Sequence, residues 1–167
     1  SYAHHLTTAA SSRLTLEARL RRALRLGLFE LHYQPLVSCA DGSIIGAEAL
    51  VRMHPDADCP VGPAEFIPLM EETGLIVQLG EWVQREACRQ GRQWLDEGRT
   101  PGIIAVNLSS MEIHGGRVKE QLQRILEETK FPPAYLELEV TESGLMAYGS
   151  QAEHFLLDLK SLGVGLA

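Results

Sequence analysis

With 167 residues, 45% hydrophobic and 22% charged, the chain can build one domain with a real core and sits in the ordinary range of soluble globular proteins. A formal net charge of −7 argues against a nucleic-acid polymer as partner, which would call for a basic patch or stripe. Cys39, Cys59 and Cys88 form neither a Cys-x-x-Cys pair nor a disulfide framework, which suits a reducing compartment. No apolar run approaches the ~20 residues of a membrane span, and Ser-Tyr-Ala-His-His at the start is no signal peptide. The expectation is a cytoplasmic segment without direct membrane contact, with room for a membrane anchor elsewhere in a longer parent protein.

Residues 1–13 are small and polar and read as a linker or tail from an upstream segment. From Leu14, the apolar residues Leu16, Leu20, Ala23 and Leu24 recur at helical spacing up to Gly27, a C-terminal stop. Phe29 to Val37 alternates and reads as a strand, placed at an edge by Pro35, which cannot donate to a ladder. Asp41-Gly42 predicts a tight turn into a second, antiparallel strand from Ile44 to Arg52. Two helices follow. One spans Ala64 to Glu72, and the other runs from Leu75 through Trp82, Val83 and Trp94 to Gly98. Ile103 to Val106 is a compact strand. After Asn107, Ser109 with Glu112 fits a capping box, opening a helix whose core face carries Val118, Leu122, Ile125 and Leu126. Beyond Pro132-Pro133, Tyr135 to Val140 alternates as a strand, Gln151 to Leu162 reads as a helix, and Gly163 to Ala167 opens one more strand. Repeated strand–helix units call for a parallel sheet with packed helices, either doubly wound or a barrel cut short.

Glu48 is the awkward residue of an otherwise apolar strand, since an unpaired buried charge costs several kcal/mol or shifts its pKa. It faces water or something positive. Arg52 lies four residues along, ~13 Å away on a strand, too far for direct pairing. Asn107 and Glu139 also lie near strand ends, and alternation puts Glu137 and Glu139 on one face, with Leu136, Leu138 and Val140 on the other. The C-terminal rim of a parallel sheet is where ligands gather. Carboxylates with an amide form an all-oxygen set suited to hard cations such as Mg²⁺, Ca²⁺ or Mn²⁺. Each residue also has a plainer role: Glu137 and Glu139 on a wet strand face, Asn107 as a turn or cap. His32 and His54 read as structural or surface residues, and Trp82 and Trp94 as packing.

Glu48-Ala49-Leu50-Val51-Arg52 resembles the signature of the EAL domain, the bacterial phosphodiesterase of cyclic di-GMP. The resemblance extends over Tyr33-Gln34-Pro35, Pro63 to Pro68, Glu71 to Ile76, Val106 to Ser109, Leu138 to Glu142 and Leu162-Gly163-Val164, in family order from about Leu14 to Ala167. It implies a (β/α)₈ TIM-like barrel with an antiparallel first strand, of which about five strands are present here. It implies a site for two Mg²⁺ or Mn²⁺ ions, with Glu48, Asn107 and Glu139 as matching ligands. It also implies that Glu142 steadies a loop beside the site, and that Arg52, with Gln34 and Leu50, contacts the substrate. Cyclic di-GMP would be hydrolysed to the linear pGpG.

In the family the chain continues past Leu-Gly-Val into a strand with an Asp pair that supplies further ligands, and a lysine, a glutamate and a glutamine follow. This sequence stops at Ala167, so the 167 residues alone are expected to be inactive and the full domain active. The competing expectation is an inactive EAL domain acting as a sensor of the nucleotide or of a protein partner. Family members often dimerise, and the N-terminal helix resembles a connector from an upstream GGDEF (nucleotide-cyclase-like) or sensory domain.

Overall fold

A single helix, α1 (Tyr2–Leu26), opens the chain in a computed structural model that describes residues 2–57, 60–146 and 149–167, with side chains from residue 11 onward except at 142 and 143. The polar tail predicted for residues 1–13 is helical from Tyr2 on. No glycine precedes Gly27 and no proline precedes Pro35, so nothing in the segment interrupts a helix. Leu20 and Ala23 are fully buried, and Gly27 ends the helix at φ 67°.

Strand β1 (Phe29–Val37) pairs antiparallel with β2 (Ile44–Met53), as the Asp41-Gly42 turn predicts. Asp41 accepts from the Ser43 backbone and hydroxyl, and Gly42 takes φ 73°. β1 occupies the sheet edge, where Pro35 is tolerated. Helices α2 (Pro63–Thr73) and α3 (Leu75–Asp96) share Gly74 as their junction. Trp82 and Trp94 of α3 pack on Phe29 and Tyr33 of β1, with ring centroids 6.3 and 4.9 Å apart, which confirms them as packing residues.

Strand β3 (Ile103–Leu108) then leads into two helices, α4 (Ser110–His114) and α5 (Val118–Thr129), where the sequence predicts one. The capping box starts α4 as expected, but Gly115 and Gly116 interrupt it, Gly116 at φ 67°. β4 (Leu136–Val140) follows, then the unforeseen short helix α6 (Glu142–Met146), α7 (Ala152–Lys160) and β5 (Gly165–Leu166).

The strand order is β1-β2-β3-β4-β5, with β2 through β5 parallel. Each crossover moves one place in the same direction. Right-handed crossovers then lay their helices on one face, whereas a doubly wound sheet requires the order to reverse. The result is a sheet that winds in one direction, as a TIM-like barrel does, and that the five strands described do not close. On the helix side, Ala49, Ile104, Val106, Leu108, Leu136 and Leu138 are buried in the core. The opposite face carries Glu48, Asn107 and Glu139.

Among the described residues, three polar side chains are buried on the helix side. Glu112 of α4 accepts at one oxygen from the Ser109 backbone and hydroxyl (2.9 and 2.6 Å) and at the other from Gln84 Nε2 (3.0 Å). Gln121 of α5 donates in turn to Gln84 Oε1 at 2.8 Å. A methyl built on Gly80 would overlap the Glu112 carboxylate, so only glycine leaves it room. Burial pushes the Glu112 carboxyl up to about 7, outweighing the donors from Ser109 and Gln84 that favour its anion. A carboxyl raised on folding contributes its full stability below the unfolded value of 4.5, and loses it as pH rises through about 7. Urea midpoints of Glu112→Gln should therefore vary less between pH 5 and pH 8 than those of the wild type. A parallel decline in both proteins would refute this.

Candidate cation and phosphate site

The alternation of β2 turns Ala49 and Met53 into the core and leaves Glu48, Leu50 and Arg52 on the open face. Strand register then builds the site. Gln34 stands opposite Glu48, Glu48 beside Ala105, and Ala105 beside Glu137. One step towards the strand ends, Asn107 stands beside Glu139. Ala105 carries only a methyl between Glu48 and Glu137, so the floor of the group is low and its walls are oxygen-bearing.

The structure brings three of the predicted residues together. Asn107 Nδ2 donates to Glu48 Oε1 at 2.8 Å across 59 residues of sequence. The Glu139 carboxyl is raised first by partial burial, then by the charges of Glu48 and Glu137. Among the described residues, no group of three or more His, Cys, Asp and Glu side chains has metal-holding geometry. The group here counts one amide among its donors, and that amide presents nitrogen, not oxygen, to Glu48. Half a turn about its terminal torsion exposes Oδ1 instead. Crowded carboxylates and an oxygen amide fit a hard divalent cation. Removing one charge should have a predictable effect without metal. Glu139→Gln is expected to raise the metal-free melting temperature while weakening Mn²⁺ binding, and a lower melting temperature in the absence of metal would count against charge crowding.

Arg52 lies on the same open face, half-buried, with Nη1 donating to the Val51 carbonyl at 2.8 Å and Glu30 as its cross-strand neighbour. It does not pair with Glu48, as the strand spacing predicts. Leu50 lies between Glu48 and Arg52 on that face, and Gln34 is exposed opposite Glu48. His32 and His54 both approach Glu30, at 2.8 and 3.9 Å, and belong to the surface. The Glu142 side chain lies outside the described residues; its backbone opens α6 two residues after β4 ends. Cys39 is exposed and Cys88 buried, its thiol pushed up to about 12 by burial, while Cys59 lies outside the described residues. No helix among the described residues is long and apolar enough to cross a membrane.

The residue that sequence reasoning undervalued is Glu112. Its capping role was legible, but the glycine that buries it lies 32 positions earlier, at Gly80.

The EAL domain family model matches residues 17–167. The bifunctional diguanylate cyclase/cyclic di-GMP phosphodiesterase MucR of Pseudomonas aeruginosa is 42% identical over 158 residues, covering 95% of this chain and 23% of that protein. The cyclic di-GMP phosphodiesterase NbdA of the same organism is 37% identical over 166 residues, covering 99% of this chain and 21% of NbdA. Among solved structures, the PaMucR phosphodiesterase in complex with c-di-GMP superposes with a TM-score of 0.84 at 43% identity, over 91% of this chain and 62% of that one. The chain thus spans under a quarter of the length of these curated relatives.

Proposed function

This chain belongs to the EAL domain family, and from that membership we propose that it carries part of the site at which cyclic di-GMP is hydrolysed to pGpG. The observation that supports this reading best is the Glu48–Asn107–Glu139 group, whose charges crowd one another on the open face of the sheet. Those three residues would hold a Mg²⁺ or Mn²⁺ ion, with Glu137 one row below. When bound, divalent ions polarise a phosphoryl oxygen and make water nucleophilic at neutral pH.

The chain's own residues prepare the substrate. Arg52 offers the planar fork that matches two phosphate oxygens. Gln34 offers an amide at the edge of the group, and Leu50 an apolar contact between Arg52 and the carboxylates. By the family resemblance, Glu142 would steady a loop beside the site. These roles follow the family resemblance, and the shared face of Gln34, Glu48, Leu50 and Arg52 supports them.

An inactive, nucleotide-sensing domain is the competing reading. The intact set of Glu48, Asn107 and Glu139 favours turnover over it. In the intact protein, cyclic di-GMP should be converted to pGpG with Mg²⁺ or Mn²⁺ present and not after chelation, with activity returning when either ion is restored. Residues 1–167 alone should hydrolyse nothing, since two carboxylates and an amide are too few donors for two ions. Chelator-resistant hydrolysis by the intact protein would overturn the reading, as would turnover by the 167 residues alone.

A further inference from the structure

We propose that Glu112 is a positioning residue for this site, tying the turn after Asn107 to the turn after Glu139 through the short helix α4. The inference rests on the cation reading of that rim, and its own support is geometric.

Helix α4 has five residues, too few to hold itself in place. It is pinned on two sides. On one, Glu112 enters the space that Gly80 leaves in α3 and is bound there by Gln84, which Gln121 of α5 holds in turn. At its second oxygen the same carboxylate holds the Ser109 backbone, two residues after Asn107. On the other side, Ile113 meets α6: a methyl built on Gly144 would lie 3.2 Å from Ile113 Cδ1 and 3.5 Å from Ser110 Cα. Gly144 in turn donates to Thr141 Oγ1 at 3.2 Å, two residues after Glu139. Adjacent residues of α4 thus reach opposite ways, Glu112 into the α3–α5 seam and Ile113 onto α6. The strands set the heights of Asn107 and Glu139. The Glu112 anchor sets the turns that aim them.

Truncation at Glu112 removes an acceptor from three donors, one of them, Gln84 Nε2, buried with it, whereas glutamine keeps the capping-box acceptor. The test uses the intact protein with Glu112→Ala, Glu112→Gln and Ser109→Ala. Hydrogen exchange is followed over residues 107–114 and 141–146, and Mn²⁺ affinity is measured by titration calorimetry. Glu112→Ala should speed exchange at least tenfold in both segments and weaken Mn²⁺ about tenfold, the scale for residues that orient a ligand from behind. Glu112→Gln should restore both to within about threefold of the wild type, since its amide oxygen satisfies the same box and its amide nitrogen can donate to Gln84 once the Gln84 and Gln121 amides turn over together. Ser109→Ala, which keeps Glu112 in place, should show the same paired loss in milder form, and it carries the test if Glu112→Ala does not fold. Faster exchange confined to residues 107–114 would overturn the proposal. So would unchanged Mn²⁺ affinity in a loosened Glu112→Ala protein, or a Glu112→Gln protein as impaired as the alanine variant. Failure of the wild type itself to bind Mn²⁺ would overturn the cation reading, and with it the proposed service to Asn107 and Glu139. The exchange data would still show separately whether Glu112 links the two turns.

Discussion

A Glu48→Ala variant of the intact protein is expected to lose cyclic di-GMP hydrolysis by about 10²–10³-fold or more, the scale of removing one preorganised electrostatic group. The fold should survive. Glu48 is half-buried on the open face, where it accepts from the Asn107 amide. Truncation there opens no core cavity and frees Asn107 to bond with water. The loss should therefore appear in kcat with no fall in the metal-free melting temperature, since the relief of crowding at Glu139 offsets the lost hydrogen bond. Glu48→Gln separates charge from shape, since it keeps an acceptor for Asn107 while removing a unit of charge from the group. It should be nearly as inactive as the alanine variant while binding Mn²⁺ more weakly than the wild type. Retention of a tenth or more of the activity in either variant would remove Glu48 from the cation site.

The largest expected loss of stability is at Gly46. A methyl built there would lie 2.2 Å from the Ile103 carbonyl oxygen, and one built on Gly102 would lie 2.1 Å from the Ile45 carbonyl. These are backbone atoms at the point where β2 and β3 begin to pair, so no side-chain rotation relieves the overlap. Gly46→Ala must spread the two strands at the start of their ladder. It should cost about 3 kcal/mol, the upper part of the overpacking range, and shift the urea midpoint by roughly 1.5 M at an ordinary slope. Gly62→Ala is the control. It has open space around it and an ordinary φ of −76°, so it should lose only the N-cap preference of glycine over alanine, about 1 kcal/mol or less, and leave the midpoint within about 0.5 M. A Gly46→Ala midpoint equal to that of the control would mean that β2 and β3 tolerate a wider spacing.

The strands were legible because their patterns are local. Phe29 to Gln34 alternates, Asp41-Gly42 dictates the partner of this strand, and Pro35 marks the edge. The position of Asn107 beside Glu139 was legible only as a shared height at two strand ends. The register that makes them neighbours comes from the sheet. The division of α4 from α5 was missed because the capping box at Ser109 and the core face from Val118 were joined into one helix across Gly115 and Gly116, and the positive φ of Gly116 shows the break. Helix α6 was missed because five residues give too short a period to detect. Burial of Glu112 could not be read at all, since the sequence shows a capping pair but not the missing Cβ of Gly80 that admits it.

On the proposed cation reading, the hydrogen bond from Asn107 to Glu48 has a consequence for how an ion would enter and leave. Without a cation, the amide lends its partial positive end to a carboxylate that would otherwise face its neighbours bare, so the empty rim keeps its shape. Admitting an ion asks for one torsion to swing, with no strand moved and no core residue disturbed. Loading should then be fast and fully reversible. Repeated cycles of chelation and refilling should return the same protein each time, without the slow recovery of a domain that has to refold around its metal.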